Sequence, residues 1–340
     1  MTTIALTAHA APDRTFRMPV IYVALSAMLA LAIAASLMIG LKAYSPLQIW
    51  TAFSRPDASE AAIVITNLRL PRALMAPLVG AALGMAGVVV QTLARNRIAS
   101  PDTLGLNAGA SLAVVLASFA LGVTSLPGLS LAAALGALAA GLLVFGIAAG
   151  AGGLSPVKIV LVGVTIAGLG HAFVEVILTT REAVFEQLLF WLAGAVVDRP
   201  ISLVANGIPF VAAGAVLAAI LAPALDALQA DDTTAAGVGV PLGLVRAGAF
   251  VAISLLTGAA VAMAGPVSFV GLVVPHAARH LAGLRHRRQL IVAALVGAIY
   301  VTLADIAARF VIYPSEAPVG AITAVVGGIV LLALLKRRAA

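Results

Sequence analysis

Ten times along this chain a run of apolar residues long enough to cross about 30 Å of hydrocarbon gives way to a short polar break. A chain in lipid has no water to satisfy its peptide groups, so each run must bond internally, and at these lengths that means a helix. The runs fall at residues 18–40, 69–93, 103–123, 128–149, 156–179, 201–223, 244–265, 267–283, 289–311 and 317–336. Gly and Pro interrupt the sixth to eighth, which lipid tolerates only where neighbouring helices re-satisfy the freed backbone. Only 10% of residues are charged and 62% are hydrophobic, with a mean hydropathy of +1.14; a soluble domain carries roughly 25% charged residues. The expectation is an all-α polytopic membrane protein of about ten transmembrane helices. Its membrane domain occupies 18–336, with short tails at 1–17 and 337–340. The first run, 23 residues long, exceeds a signal-peptide core and is read as a retained helix.

Ten crossings with the N-terminus inside place both termini in the cytoplasm. On that topology thirteen of the twenty Lys and Arg residues lie inside and seven outside, in agreement with the positive-inside bias. The net charge of +7 and pI near 10.5 therefore reflect topology. The basic residues lie between apolar runs rather than along a phosphate-binding stripe, so nucleic acid is not an expected partner. Absent cysteine excludes disulfides, thiolate metal sites and a cysteine nucleophile.

Residues 80–87 (GAALGMAG) echo 258–265 (GAAVAMAG) at six of eight positions, in helices of opposite expected direction. Inverted repeats are a transporter feature, although a chain this rich in Ala and Gly also produces such echoes by chance. Most of the glycines fit close helix packing, since small residues let backbones approach in lipid.

Four groups of polar residues stand out. Arg69 and Arg72 open the second span on the outer side, three residues apart and on one face. Snorkelling at a helix end would account for them, but positive charge on the outer side runs against the orientation bias, which argues against a purely topological role. Asp305 and Arg309, four apart near the outer end of the ninth span, can neutralise one another within the helix. Between the sixth and seventh spans lies Asp226 to Gly239, where Asp231, Asp232 or Thr233 can cap a short helix that Gly237 ends. His171 and Glu175 share a face of the fifth span, either bonding to neighbouring helices or lining a pathway.

Several motifs are similar to one family. They are Leu68-Arg69-Leu70-Pro71-Arg72, Gly80-Ala81-Ala82-Leu83 with Gly87, Gln91 and Asn96, and Pro101-Asp102-Thr103-Leu104-Gly105. Farther on come Gly265-Pro266-Val267-Ser268-Phe269-Val270-Gly271 through Pro275-His276, Arg279, Asp305 with Arg309, and Pro318-Val319-Gly320-Ala321-Ile322-Thr323. Together, from about residue 60 onward, the chain resembles the FecCD-type permeases, the membrane subunits of iron-siderophore, haem and vitamin B12 ABC importers. It departs at Gly327-Gly328-Ile329-Val330-Leu331, where the family usually has Gly-x-Pro and an aromatic residue.

The resemblance implies a type II ABC importer permease in the bacterial inner membrane, importing iron-siderophore complexes through a dimer interface by ATP-driven alternating access. It implies two cytoplasmic ATPase subunits that bind the ATP and Mg, a second permease chain, and a periplasmic or lipid-anchored substrate-binding protein. It assigns Arg69, Arg72 and Arg309 to docking of that protein. It assigns residues 224–243, with Asp231, Asp232, Ala235, Ala236, Gly237 and Gly239, to the segment that couples to the ATPase.

The residues themselves hold no phosphate-binding Gly-x-x-x-x-Gly-Lys loop and no recognisable catalytic set, so neither an enzyme nor a resident cofactor or metal is expected. An ion- or proton-coupled secondary transporter, with His171 and Glu175 as its relay, is the alternative.

Overall fold

The computed structural model describes residues 18–54, 59–150, 155–312 and 314–339, and every regular element among them is a helix. The tail at 1–17 with Arg14 and Arg17, Arg55, and the side chains of Arg337 and Arg338 lie outside the described residues. In chain order the helices are α1 (Met18–Met38), α2 (Pro46–Ser54), α3 (Glu60–Ile63), α4 (Leu70–Leu93), α5 (Leu106–Leu121), α6 (Leu126–Gly150) and α7 (Pro156–Thr180). They continue as α8 (Glu182–Leu192), α9 (Ile201–Leu228), α10 (Asp232–Gly237), α11 (Leu242–Ala264), α12 (Val270–Ala282), α13 (His286–Val311) and α14 (Val319–Ala339).

Each of the ten apolar runs contains a helix, and among the described residues seven helices are long and apolar enough to cross a membrane. Of the remaining three runs, α14 has 21 residues and carries Lys336, Arg337 and Arg338 in its last turn, whereas α5 has 16 residues and α12 has 13, the last about 20 Å at 1.5 Å per residue. The run expected at 267–283 thus breaks at its start: Gly265 and Phe269 both take positive φ, and the helix forms only from Val270. α14 runs on to Ala339, through residues assigned to the C-terminal tail. Short α2, α3 and α8 occupy stretches read from the sequence as connectors.

α4 is the centre of the bundle. A π-helical turn, Val64–Arg69, joins it to α3, giving one helix from Glu60 to Leu93 whose apolar window is 83% buried. Its glycines explain how so much backbone is enclosed. A Cβ on Gly80 would lie 2.0 Å from the Gly297 carbonyl oxygen of α13, and one on Gly87 would lie 2.1 Å from the Gly271 oxygen of α12. No side chain fits at either crossing, so the helices meet backbone to backbone.

The echo at 258–265 lies on α11, the next most enclosed span at 72%, which packs directly on α4. Peripheral helices contrast with these two. In α7 only 22% of the apolar window is buried, and Leu161, Phe173 and Val176 face outward.

Candidate functional site

Polar side chains gather at both ends of α4 and in one cavity beside α5. At the first end Arg69, Arg72 and Arg309 come together, with Arg72 and Arg309 held by Asp305. Arg72 on α4 donates to Asp305 Oδ1 at 2.7 Å and to Glu316 at 2.5 Å. Arg309, one turn beyond Asp305 on α13, donates to Asp305 Oδ2 at 2.6 Å. One carboxylate therefore holds two guanidinium groups on two helices. Arg309 also reaches the Ser36 carbonyl at 2.7 Å, the Ile39 carbonyl at 2.5 Å and the Ser36 hydroxyl at 2.7 Å.

Arg69, at the end of the π turn, donates to the carbonyls of Leu37 and Met38 at 2.8 and 2.9 Å and to that of Lys42, and it stacks on the Tyr44 ring. The last carbonyls of a helix have no partner within it, and these two arginines supply partners at the end of α1.

The sequence places these arginines at the outer ends of their spans, as docking candidates by resemblance. In the fold the three are only 7%, 7% and 2% exposed, and most of their donors are used within the chain. The reason is local: α1 ends beside α4, and its free carbonyls compete for the guanidinium groups. Glu316 and Ser36, which complete the cluster, have no signature in the sequence, because only the fold brings them near.

At the other end of α4 sits α10. Asp231 caps it, accepting from the Thr233 hydroxyl at 2.5 Å, the Thr234 amide at 2.6 Å and the Thr234 hydroxyl at 2.7 Å. The Thr233 bond, with those from Thr234, pulls the Asp231 carboxyl down to about 2. Asp232, the first residue of the helix, is gripped by Arg246 of α11 through both carboxylate oxygens at 2.7 Å and by Arg95 at 2.5 Å. Ala235 is buried against the bundle, whereas Ala236, Gly237 and Gly239 are exposed. Gly239 has φ +82, and a Cβ on Gly237 or Gly239 would meet nothing within the chain. Val238 and Leu244 stand 69% and 74% exposed beside them. The result is a small, firmly seated, mostly apolar projection.

Beneath it the buried His286 ring bridges Asp226 of α9, at 2.6 Å, and Thr92 of α4, at 2.7 Å. Arg279 donates to Gln91, whose amide in turn donates to the Leu272 carbonyl at 3.2 Å.

Mid-depth, a cavity of about 540 Å³ opens between α5, α7, the 265–269 turn and the start of α14. His171 lines it together with Asp102, Asn107, Ser111 and Ser268. Glu175, one turn along α7, is exposed outside the lining. Asp102 accepts from Asn107 and Ser268. It was legible in the sequence only as a motif residue, since nothing in the spacing places it beside His171.

The FecCD transport family model matches residues 28–337. The chain belongs to the FecCD transport family. As a FecCD chain it is 39% identical, over 92% of its length and 93% of the relative's, to the ferric enterobactin transport system permease protein FepD of Escherichia coli. It is 36% identical to "Probable siderophore transport system permease protein YfiZ" of Bacillus subtilis, covering 94% and 96% of the two chains. A solved structure assigned to the metal-chelate type of ABC transporter, in an inward-facing conformation, superposes with a TM-score of 0.82 at 29% identity, over 94% of this chain and 99% of the other. The protein is thus a multi-pass membrane protein of a transport permease family.

Proposed function

We propose that this FecCD chain is the membrane-spanning subunit of a binding-protein-dependent ABC importer for ferric chelates in the bacterial inner membrane. The observation that carries the reading is the α10 projection: rigidly seated through Asp232, open on its small apolar face, and at the end of the bundle opposite the arginines. A motor acting from outside the membrane needs a stiff handle, and its contact face here is built from Ala236, Gly237, Val238 and Gly239.

On this reading α10 faces the cytoplasm and seats on one of two ATPase subunits, which hold the ATP and Mg. The chain makes ten crossings with both termini inside. The arginine cluster faces outward, where Arg69, Arg72 and Arg309 contribute to docking a substrate-binding protein by fixing the surface between α1, α4 and α13. A second permease chain packs on the exposed α7 and α14 faces, and cargo passes between the two along His171. The relatives' named cargoes, siderophores among them, support ferric chelates as the cargo class.

The test is uptake of iron-labelled chelate by cells carrying the full transporter, with copurification of the chain's partners. Uptake that stops on ATP depletion and persists with an ionophore, together with an ATPase that copurifies, is the expected result. Uptake abolished by the ionophore alone overturns it in favour of a proton-coupled carrier using His171 and Glu175.

A further inference from the structure

α11 carries a glycine that close helix packing does not explain. A Cβ on Gly258 would meet nothing nearer than the Ala134 carbonyl oxygen at 3.6 Å, an ordinary van der Waals distance, whereas Gly80 and Gly87 stand at backbone-to-backbone crossings. The space that Gly258 leaves is the floor of a cleft of about 280 Å³ between α6, α9 and α11. Its walls include Leu131, Leu135 and Leu138 of α6 and Phe210 of α9, all between 39% and 62% exposed on the outside of the bundle. In a membrane protein an apolar surface of this kind faces hydrocarbon.

The cleft has a direction. Gly141 of α6 lies against Ser254 and Ala134 against Gly258, so α6 runs antiparallel to α11; Gly207 against Met263 and Gly214 against Leu256 show the same for α9. α11 starts beside α10 and runs 23 residues back toward the arginine end. Ser130, in the second turn of α6, and Asn206, in the second turn of α9, therefore mark the shallow end, level with Met263 in the last turn of α11. From Pro127 to Leu138 the cleft follows α6 over about 16 Å at 1.5 Å per residue. Half of a hydrocarbon layer about 30 Å thick is about 15 Å. The cleft is as deep as one leaflet.

Its polar groups sit where a lipid's do. Ser130 is 5% exposed, and its hydroxyl lines the cleft without a hydrogen-bond partner among the described residues. A buried hydroxyl left unpaired is costly, and hydrocarbon brings no water to it. Asn206 adds an exposed amide at the rim. No charged residue is found among the described lining residues. The ligand that fits is one leaflet long, apolar along its length, and carries neutral acceptors at one end.

We propose that this cleft is a binding site for one acyl chain of a phospholipid from the leaflet on the arginine side, its ester carbonyl accepting from the Ser130 hydroxyl and the Asn206 amide. With no cation in the lining, the site selects the chain and not the head group. The inference needs only the membrane setting of the chain and stands apart from the importer reading.

Native mass spectrometry tests it on the full-length protein with its copurifying subunits, in micelles doped with equal amounts of palmitoyl-oleoyl phosphatidylethanolamine and palmitoyl-oleoyl phosphatidylglycerol. Wild type is expected to retain one phospholipid per chain more than Gly258→Leu, whose side chain fills the floor, and to hold the two head groups within about twofold of each other. Ser130→Ala, nearly the same size, is expected to release the lipid about fivefold faster.

Equal retention by wild type and a folded Gly258→Leu overturns the proposal, as does a strong preference for the anionic head group. A Ser130→Ala chain that releases lipid no faster than wild type overturns it even if Gly258→Leu does not fold. A photo-cross-linker placed at Phe210 in native membranes is expected to join lipid, and capture of a protein there in its place overturns the assignment.

Discussion

The two ends of α4 use one chemical device. Each has an aspartate gripped by two arginines: Asp305 by Arg72 and Arg309, and Asp232 by Arg95 and Arg246. What differs is water. The Asp305 side chain is 1% exposed and that of Asp232 is 38% exposed. A sealed charge triad cannot lose one member cheaply, because the remaining charges have no solvent to turn to. A wet one is screened and contributes little to global stability, so its effect is local, holding α10 in place. The same kind of triad thus makes a sealed joint at one end and a solvent-facing seat for α10 at the other.

Removing each carboxylate tests that contrast most directly. Asp305→Ala removes the carboxylate that two buried guanidinium groups share, leaving Glu316 as their one ion-pair partner in the cluster, and is expected to cost about 3–5 kcal/mol, seen as a large drop in thermal stability in detergent. A variant as stable as wild type would show that burial is not what separates the ends.

Arg69→Lys comes next, with a loss of about 1–2 kcal/mol, because an ammonium keeps the charge but cannot span three carbonyls of the α1 end. Thermal melting with a binding-protein titration sharpens the point. Docking preserved alongside lowered stability assigns the residue to holding the surface, and the opposite pattern assigns it to charge recognition.

Asp232→Ala is expected to change stability by less than about 1 kcal/mol, yet to lower ATP-driven transport more than tenfold as α10 loses its seat. Unchanged transport would separate the projection from coupling.

The smallest effect belongs to Asp231. Its folded carboxyl titrates near 2 against an ordinary value of 3.8. Its capping contribution is therefore fully present above pH 3.8 and is lost as the pH falls through about 2. Exchange of the Thr234 amide, corrected for its intrinsic pH dependence, is expected to follow that window.

Much of this was legible in the amino-acid order. Apolar length placed a helix in each of its ten runs, seven of them long and apolar enough to cross among the described residues, because hydrocarbon admits few other structures; it did not announce the short α2, α3 and α8. A cap among Asp231, Asp232 and Thr233 and an end at Gly237 were readable because capping is local, decided within four residues; the structure selects Asp231. The i, i+4 pairing of Asp305 with Arg309 was readable for the same reason.

The inward turn of Arg69 and Arg72 was not. Their partners are carbonyls at 37, 38 and 42 and carboxylates at 305 and 316, and nothing near residue 70 announces them. The break before α12 was hidden by composition, since Val267 and Phe269 are as apolar in a turn as in a helix. The Asp102–Asn107 pair was concealed in a motif whose side-chain directions depend on a left-handed Gly105.

Where Gly80 and Gly297 touch, α4 and α13 have no side chains between them to slip past one another. Two rods joined along their backbones flex as one beam. Movement of α10 at one end must then reach the arginine end without being absorbed along the way, and any bending has to occur at joints such as the Gly265–Phe269 turn, where the helical bonding is already interrupted. A bulky residue at either glycine would prise the beam apart, so its first consequence should be lost synchrony between the two ends of the molecule.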